Sequence, residues 1–509
     1  MAALLERIRQ AAARHPERPA LVSPEGGLRY GDLPAAIDSL ARALGRAGVQ
    51  RVGLCGDNTL AWVLADLACL QAGVVCVPVP GFFSPAQVAH LTAQAGLEAM
   101  LHSEPAEGAQ PLGQGVWWRP LSEAPVGSGL PAGTAKITFT SGSTGTPKGV
   151  CLSAAQMTAT SLALQSRLAG VPLRRHLCLL PLATLLENVA GVYLPLLMGA
   201  TVTVAPLGSL GMTGSSGLEA GRMVSALNRH RPQSLILVPE LALALVAAAE
   251  QGALDTGGFR FLAVGGGRVS PDLLHRGRAA GLPLYEGYGL SECGSVVALN
   301  VPGDDRPGTV GKPLSHVRVT VDDKGHIQVR GNAFLGYLGQ TGAPETPLDT
   351  GDLGDYDEAG FLRVNGRAKH LLITSFGRNV SPEWLESELT QALGARQAVV
   401  FGDGEPRLSA LLVLTGPWPP ERLRAALNRL NATLPDYARL AQVFVRQRPL
   451  SPADGYLTAN GRPVRHRIRQ DLPALLAEAT PLNTDAAAHA AQTCSSPTPG
   501  GTHMAFFDR

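Results

Sequence analysis

The segment Ile137-Thr-Phe-Thr-Ser-Gly-Ser-Thr-Gly-Thr-Pro-Lys-Gly-Val150 sets a loop of glycines and hydroxyls between two β-prone runs, residues 137–140 and 150–152. Thr140, Ser141, Ser143, Thr144 and Thr146 bring hydroxyl donors, Gly142 and Gly145 let backbone N–H groups converge, and Lys148 adds a positive charge. Converging donors with one cation are what a polyphosphate requires. The Gly-Lys-Ser/Thr ending of a Walker A loop is missing at its required spacing, so this is not a Walker A loop. Composition alone fits a plain surface turn equally well, and the elements around the loop decide between the two.

Working outward, Arg51-Val-Gly-Leu-Cys55, then Ala61 to Ala72, then Val74-Val-Cys-Val-Pro78 read as strand, helix, strand. The pattern recurs at Met223 to Arg229, Ser234-Leu-Ile-Leu-Val238 and Phe259-Arg-Phe-Leu-Ala-Val264. Such alternation predicts an α/β fold of largely parallel sheets covered on both faces. From about Thr309 the texture turns β-rich. Arg318-Val-Thr-Val-Asp322, a turn at Asp323-Lys-Gly325 and Ile327-Gln-Val-Arg330 predict a hairpin, and a turn unit at Gly354 to Gly360 leads into Phe361-Leu-Arg-Val364. After Lys369 a small α+β region is expected to about Ala479, with strands at residues 398–401, 409–414 and 442–445. Thr480 to Arg509 is rich in Ala, Thr, Ser, Pro and Gly and reads as a disordered tail. A chain of 509 residues exceeds what one core serves, and the expected division is 1–368, 369–479 and 480–509.

Composition narrows the function classes. Hydrophobic residues are 45% of the chain and charged residues 17%, which describes a globular protein with much buried surface. A formal net charge of +2, without a basic run, argues against a nucleic-acid partner. The seven cysteines are scattered without a CxxC pair, as in a reduced, cytoplasmic protein. The N-terminus meets Glu6 and Arg7 too early for a signal-peptide core. Val189 to Met212 is uncharged and long enough to span a bilayer, but Pro195, Gly199 and Pro206 interrupt it. A buried helix stopped at Gly199 and a buried strand at Thr201-Val-Thr-Val-Ala205 are expected instead of a membrane span. Lysine occurs only at positions 136, 148, 312, 324 and 369, so all positive side chains beyond Lys369 are arginines or histidines.

Two more motifs give the loop its context. In Leu284-Tyr-Glu-Gly-Tyr-Gly-Leu-Ser-Glu-Cys293, Tyr288 offers a face for a purine, and Ser291 and Glu292 add a hydroxyl and a carboxylate suited to Mg²⁺. Asp349-Thr-Gly-Asp352 followed by Asn365-Gly-Arg367 supplies an acid and a base of the kind that grip ribose hydroxyls. With these motifs in this order, the chain resembles, over about residues 20 to 470, the acyl-adenylate-forming superfamily of acyl- and aryl-CoA synthetases, peptide-synthetase adenylation domains and luciferases, nearest the fatty-acyl-CoA synthetases. The resemblance implies that Thr140, Ser141, Gly142, Ser143, Thr144 and Gly145 cradle phosphate beside Lys148, and that Gly265, Gly266 and Gly267 form the turn next to adenine. It places Tyr288, Gly289 and Ser291 at the nucleotide, Glu292 on the metal, and Asp352 with Arg367 on the ribose. It makes Lys369 the hinge of a mobile C-terminal domain and puts Gly377 in the thiol tunnel.

The implied reaction joins a carboxylic acid to ATP, as an acyl-adenylate, and passes the acyl group to CoA, with Mg²⁺ present. A medium- or long-chain fatty acid is the expected acid, and an acyl carrier protein is the alternative acceptor. The chain departs from the family pattern at Leu457-Thr-Ala-Asn-Gly-Arg462, where arginine stands in place of the lysine that bridges carboxylate and α-phosphate. Arginine keeps the charge but is planar and bulkier. Arg462 therefore acts as the catalytic cation, or slows and reshapes adenylation, or marks a nucleotide-binding pseudo-synthetase. A second departure is Thr184 in Leu180-Pro-Leu-Ala-Thr-Leu-Leu-Glu187, where fatty-acyl relatives often carry histidine. Gly289-Leu-Ser-Glu-Cys293 also resembles a hydrolase nucleophile elbow, but Cys293 stands where that motif closes on glycine.

Overall fold

Arg51–Cys55 and Val75–Pro78 are adjacent parallel strands joined by the helix Leu60–Ala72, whose N-cap Thr59 accepts from the Trp62 amide. That helix is buried on nearly every face, which is why its sequence is apolar all round and lacks a polar stripe. A computed structural model describes residues 3–121, 129–140, 147–213, 217–340, 344–375, 378–458 and 461–484. Contacts divide the chain into two units, Met1–Lys369 with Ser451–Val464, and His370–Leu450 with Arg465–Arg509.

The larger unit bears out the α/β fold. Its eight-stranded sheet is parallel at the centre, where Thr134–Thr140, Val75–Pro78, Arg51–Cys55 and Ala99–His102 are neighbours, and antiparallel at both edges. A nine-stranded sheet runs parallel from Pro19–Ser23 through Ser234–Leu237 and Phe261–Val264 to Leu284–Tyr288. The β-rich part is a four-stranded antiparallel sheet holding the expected hairpin, Val317–Val321 with His326–Gly331, and the long pair Leu348–Tyr356 with Leu362–Arg367.

The uncharged stretch near residue 190 folds into the interior. It forms a π-helical segment, Glu187–Tyr193, a short α-turn Leu194–Leu197, a left-handed Gly199 at φ +69° and the strand Thr201–Thr203. Among the described residues no helix is long and apolar enough to cross a membrane. The π segment carries polar groups inward toward both large sheets. Glu187 meets His176 of one sheet at 3.1 Å, while Asn188 and Tyr193 meet the buried ion pair of Lys136 and Asp66, 2.7 Å apart, whose lysine lies in the other sheet. Burial without partners would cost several kcal/mol per charge, so this network is closed on itself. The low-polarity reading of this stretch predicts none of these bonds.

The smaller unit is a four-stranded sheet, Ala395–Phe401, Leu408–Leu414, Leu440–Arg446 and Ala479–Asn483, with the helices Pro382–Leu393, Pro420–Thr433 and Arg465–Ala477. Two details differ from the expected division. Ser451–Val464 groups with the larger unit rather than with its neighbours in sequence. Residues 480–483, assigned to the tail, complete the sheet, because Leu482 faces Val443 and is buried in the core of this unit. The remainder of the expected tail, 485–509, lies outside the described residues.

Candidate functional site

The strands Thr134–Thr140 and Lys148–Ser153 pair antiparallel with Thr140 directly opposite Lys148. The glycine–hydroxyl loop is therefore held at both roots by one register. Ser141, Gly142, Ser143, Thr144 and Gly145 themselves lie outside the described residues. At its exit, the Lys148 ammonium stands over the Tyr337 ring, 5.5 Å from the centroid, and a cavity of ≈ 170 Å³ opens between Pro147, Lys148, Gly149 and Tyr337. The Tyr337 hydroxyl donates to Glu292 Oε1 at 2.8 Å. Lys148 and Glu292 thus converge on one aromatic side chain that sequence reasoning missed. Its signal is weak, a lone Gly336-Tyr337 whose short strand pairs with Val150 and Cys151. Burial, then the Glu292 charge, push the Tyr337 hydroxyl above the usual phenol range, so it remains a donor.

Tyr288 ends the strand Leu284–Tyr288, and Asp352 lies within Leu348–Tyr356 on another sheet. Their side chains meet, Tyr288 hydroxyl to Asp352 Oδ2 at 2.5 Å, and Arg367 Nε reaches Asp352 Oδ1 at 2.7 Å. Asp352 pairs with Arg367 in the sheet register, which explains why two residues far apart in sequence share one carboxylate. Asp352 is buried, while Arg367 keeps 48% of its side-chain surface exposed. The carboxylate is held by the protein on one side and carries an arginine open to solvent on the other.

The backbone between these groups is tight. A Cβ on Gly289 would lie 1.7 Å from the Ser295 carbonyl oxygen, so that position admits only glycine. Ser291 and Glu292 follow in a short 3₁₀ turn, and the main-chain carbonyl of Glu292 accepts from Phe334 and Gln156. Gly265, Gly266 and Gly267 follow the strand Phe261–Val264. Gly266 takes φ +79°, and Gly267 packs on Pro239 at the start of the helix Pro239–Glu250.

Arg462 arrives at this turn. Its Nη2 donates to the Gly266 carbonyl at 2.6 Å, from a loop in which Thr458 accepts the Arg462 amide. Arg462 is exposed at its surface, and the surrounding chain partly desolvates the guanidinium. Desolvation first and the nearby Arg367 charge second draw it below the usual arginine value, with Glu240 and Asp352 acting in the opposite sense. Arg462, Gly266, Asp352 and Arg367 therefore occupy one neighbourhood of the larger unit. Lys369 is the last residue of that unit before the chain crosses, and Gly377 lies outside the described residues.

Glu286, two residues before Tyr288, is a further group that sequence reasoning did not single out. It is fully enclosed, and burial pushes its pKa up to about 8 against the pull of Arg268 and a bond from the Val269 amide. At neutral pH this carboxyl holds its proton.

Comparison with known proteins gives the family and the likeness of fold. The family described as AMP-binding enzyme matches residues 8–338. The chain is 30% identical over 439 residues to a feruloyl-CoA synthase of an Amycolatopsis species, covering 78% of this chain and 87% of that one. It is 41% identical over 164 residues to the long-chain-fatty-acid–CoA ligase FadD15 of Mycobacterium bovis. That match takes in 31% of this chain, which thereby spans little more than a quarter, 27%, of that relative's length. Among solved structures, the O-succinylbenzoate coenzyme A synthetase MenE of Bacillus subtilis in complex with AMP superposes with a TM-score of 0.73. It is 24% identical and covers 91% of this chain and 98% of that chain, a likeness of fold.

Proposed function

Because the chain belongs to the family of AMP-binding enzymes, we propose that it is an AMP-forming acid–thiol ligase. It joins a carboxylic acid to ATP as acyl-AMP and transfers the acyl group to a thiol. The observation that carries this reading is the neighbourhood of Asp352, Tyr288, Arg367 and Arg462. There a buried carboxylate takes a hydroxyl and an arginine, and a loop-borne cation within reach of its charge meets the glycine turn.

The chemistry follows from those groups. In the first step a carboxylate oxygen bonds to the α-phosphorus and the bond to pyrophosphate breaks. In the second, a thiolate attacks the acyl carbonyl and AMP leaves. Two anions must meet in the first step, so the barrier is largely electrostatic, and preorganised cations lower it. Asp352 and Arg367 hold the ribose, Tyr288 stacks near the base, and the loop rooted at Thr140 and Lys148 receives the phosphates. Arg462 stands in for the usual lysine and forks onto the carboxylate and phosphate oxygens. Glu292 suits Mg²⁺, since Oε1 holds only a neutral hydroxyl and no basic side chain among the described residues pairs with it. When bound there, Mg²⁺ would neutralise phosphate charge.

The acid we propose is a medium- or long-chain fatty acid and the acceptor CoA. The identity to a fatty-acid ligase supports the acid, and the feruloyl relative makes aromatic acids the competing class. An acyl carrier protein is the alternative acceptor. The test is acid-dependent pyrophosphate release from Mg-ATP across fatty and aryl acids, with and without CoA, for wild type, Arg462→Lys and Arg462→Ala. Release with fatty acids that Arg462→Ala loses, and that CoA accelerates, supports the whole reading. Absence of release from wild type, restored by Arg462→Lys, identifies a pseudo-synthetase and overturns it.

A further inference from the structure

The π segment Glu187–Tyr193 gathers a second polar cluster, within the larger unit, that the ligase chemistry does not use. His176 and Cys178 stand two apart at the end of the strand Arg175–Leu177, where alternate residues face one way, and Glu187 opens the π segment. All three side chains are buried. One ligand atom from each lies within 4.8 Å of the other two, and among the described residues this is the one group of three His, Cys, Asp or Glu side chains so gathered. A tetrahedral zinc, with bonds of about 2.0–2.3 Å, sets its ligands about 3.5 Å apart. His176 Nε2 and Glu187 Oε1 already stand 3.1 Å apart, so the thiol alone has to move in, by about 1 Å.

The surroundings hold the trio in place. His176 Nδ1 lies 2.9 Å from the Ser234 hydroxyl, which can give or accept a hydrogen bond. With Nδ1–H donating to Ser234, Nε2 presents its lone pair toward Glu187, the arrangement that orients a metal-binding histidine. Glu187 Oε2 accepts the Leu180 amide at 3.1 Å, which leaves Oε1 aimed at His176. Asn58 Nδ2 donates to the carbonyls of Cys178 at 3.4 Å and Leu180 at 2.9 Å and so fixes the main chain that bears the thiol. Gly191 closes the remaining side. The Cys178 thiol donates to its carbonyl at 3.6 Å, and a Cβ on Gly191 would lie 2.1 Å from Glu187 Oε1 and 2.9 Å from His176 Nε2. Glycine leaves that space open, and it stands in a π segment, a geometry that recurs at functional sites.

We propose that His176, Cys178 and Glu187 form a structural zinc site through Nε2, Sγ and Oε1, with the Gly191 carbonyl oxygen placed to complete a fourfold set. Binding releases the Cys178 proton to solvent. The Zn²⁺ then faces one thiolate, one carboxylate and one neutral imidazole, so the buried site carries no net charge and avoids the cost of an unpaired ion. A mixed set of nitrogen, sulfur and oxygen suits zinc and not Mg²⁺, which takes oxygen ligands, so this site differs in kind from the one at Glu292. The metal ties the strand Arg175–Leu177 to the π segment, and with them the chain from Leu180 to Glu187. The site stands whether or not the chain is a ligase.

Because the site is enclosed, the metal has to enter as the chain folds. The test therefore uses the full chain produced in zinc-supplemented medium, stripped of surface ions with EDTA and analysed for metal by plasma mass spectrometry. Wild type should retain about one zinc per chain, and Cys178→Ser at least about tenfold less. Cys55→Ser, which alters a more accessible thiol, should retain as much as wild type. Production in cobalt gives a second readout. Wild type should show tetrahedral cobalt bands with a thiolate-to-cobalt charge-transfer band, and Cys178→Ser should lack the latter. Ser234→Ala keeps all three ligands and serves if Cys178→Ser fails to fold. In competition with a chelator it should hold zinc about 10- to 100-fold more weakly than wild type. Wild type that emerges without zinc overturns the proposal, as does equal zinc in wild type and Cys178→Ser. Zinc whose cobalt counterpart shows no thiolate band is an adventitious ion only, and refutes the site as well.

Discussion

At the scale of single residues, the site depends on a few side chains whose protonation and partners are set by burial. Asp352 is buried and paired with Arg367, and the Tyr288 hydroxyl donates to it. Hydrogen bonds to a charged group contribute about 1.5–3 kcal/mol, so Asp352→Ala should weaken AMP binding by roughly 10- to 100-fold by titration calorimetry. Affinity within twofold of wild type would remove Asp352 from the nucleotide seat. Glu286 makes a pH prediction. Its folded pKa, pushed up to about 8, exceeds the unfolded value of 4.5, so the native state holds a proton that the unfolded chain has lost between those limits. Its contribution is therefore greatest below about pH 4.5, declines by up to about 1.4 kcal/mol per pH unit toward pH 8, and is level above that. Urea unfolding of Glu286→Gln at pH 5, 6.5 and 8 should show that the variant lacks this decline. Equal slopes for the two proteins would contradict the buried neutral carboxyl. These two residues differ in how far sequence reading reached them. Asp352 belongs to a motif that marks it as a candidate, whereas Glu286 is one letter in a run whose enclosure only packing creates.

At the scale of elements, the π segment Glu187–Tyr193 and the turn at Gly289 do the joining. Lys136 and Asp66 are each 1% exposed, and they are satisfied by one another with Asn188 and Tyr193 from the π segment. Lys136→Met should cost about 3–5 kcal/mol because it strands the Asp66 charge, and adding Asp66→Leu should recover much of that loss. Chemical denaturation of the two variants checks this, and a double variant no better than the single would show that the pair is not the cause. The turn at Gly289 makes a steric prediction. With the Ser295 carbonyl 1.7 Å from the added Cβ, Gly289→Ala forces the chain between Tyr288 and Glu292 apart. Pyrophosphate release should fall by at least about tenfold, since misplacement of a positioned group costs that much. Wild-type rates would mean the turn relaxes freely. Strands and helices of the parallel sheets were legible from their alternation, because a doubly covered strand must be apolar throughout. The π segment was not, since its polar residues sit in a run that reads as uniformly apolar and their partners come from both sheets.

At the scale of the whole molecule, each unit has its own hydrophobic core, that of the smaller one running from Leu372 to Leu482. Two cores predict two calorimetric transitions rather than one. The residues proposed to hold the nucleotide belong to the larger unit, so AMP at a hundredfold excess over its dissociation constant should stabilise that transition by about 2.7 kcal/mol and leave the other in place. A single transition, or equal shifts of both, would show that the units unfold as one. The division of the chain was readable in the α+β pattern that follows Lys369 and in the hinge that the resemblance implies there. The return of Ser451–Val464 to the larger unit was not, because nothing in its composition distinguishes it from the loops around it.

The sequence by itself determined the fold class, the ordered set of motifs and the arginine at position 462, since each is local: hydropathy period, turn chemistry and residue type act over a few positions. The tertiary structure decided which of those residues meet. Tyr288 and Asp352 are 64 positions apart and Arg462 is 196 positions from Gly266, and sheet register and chain crossings bring them within a hydrogen bond. It also decided what burial does to charge, in the neutral carboxyl of Glu286 and the closed ion pair of Lys136 and Asp66. Desolvation depends on every neighbour in space, and those neighbours are assembled only by the fold.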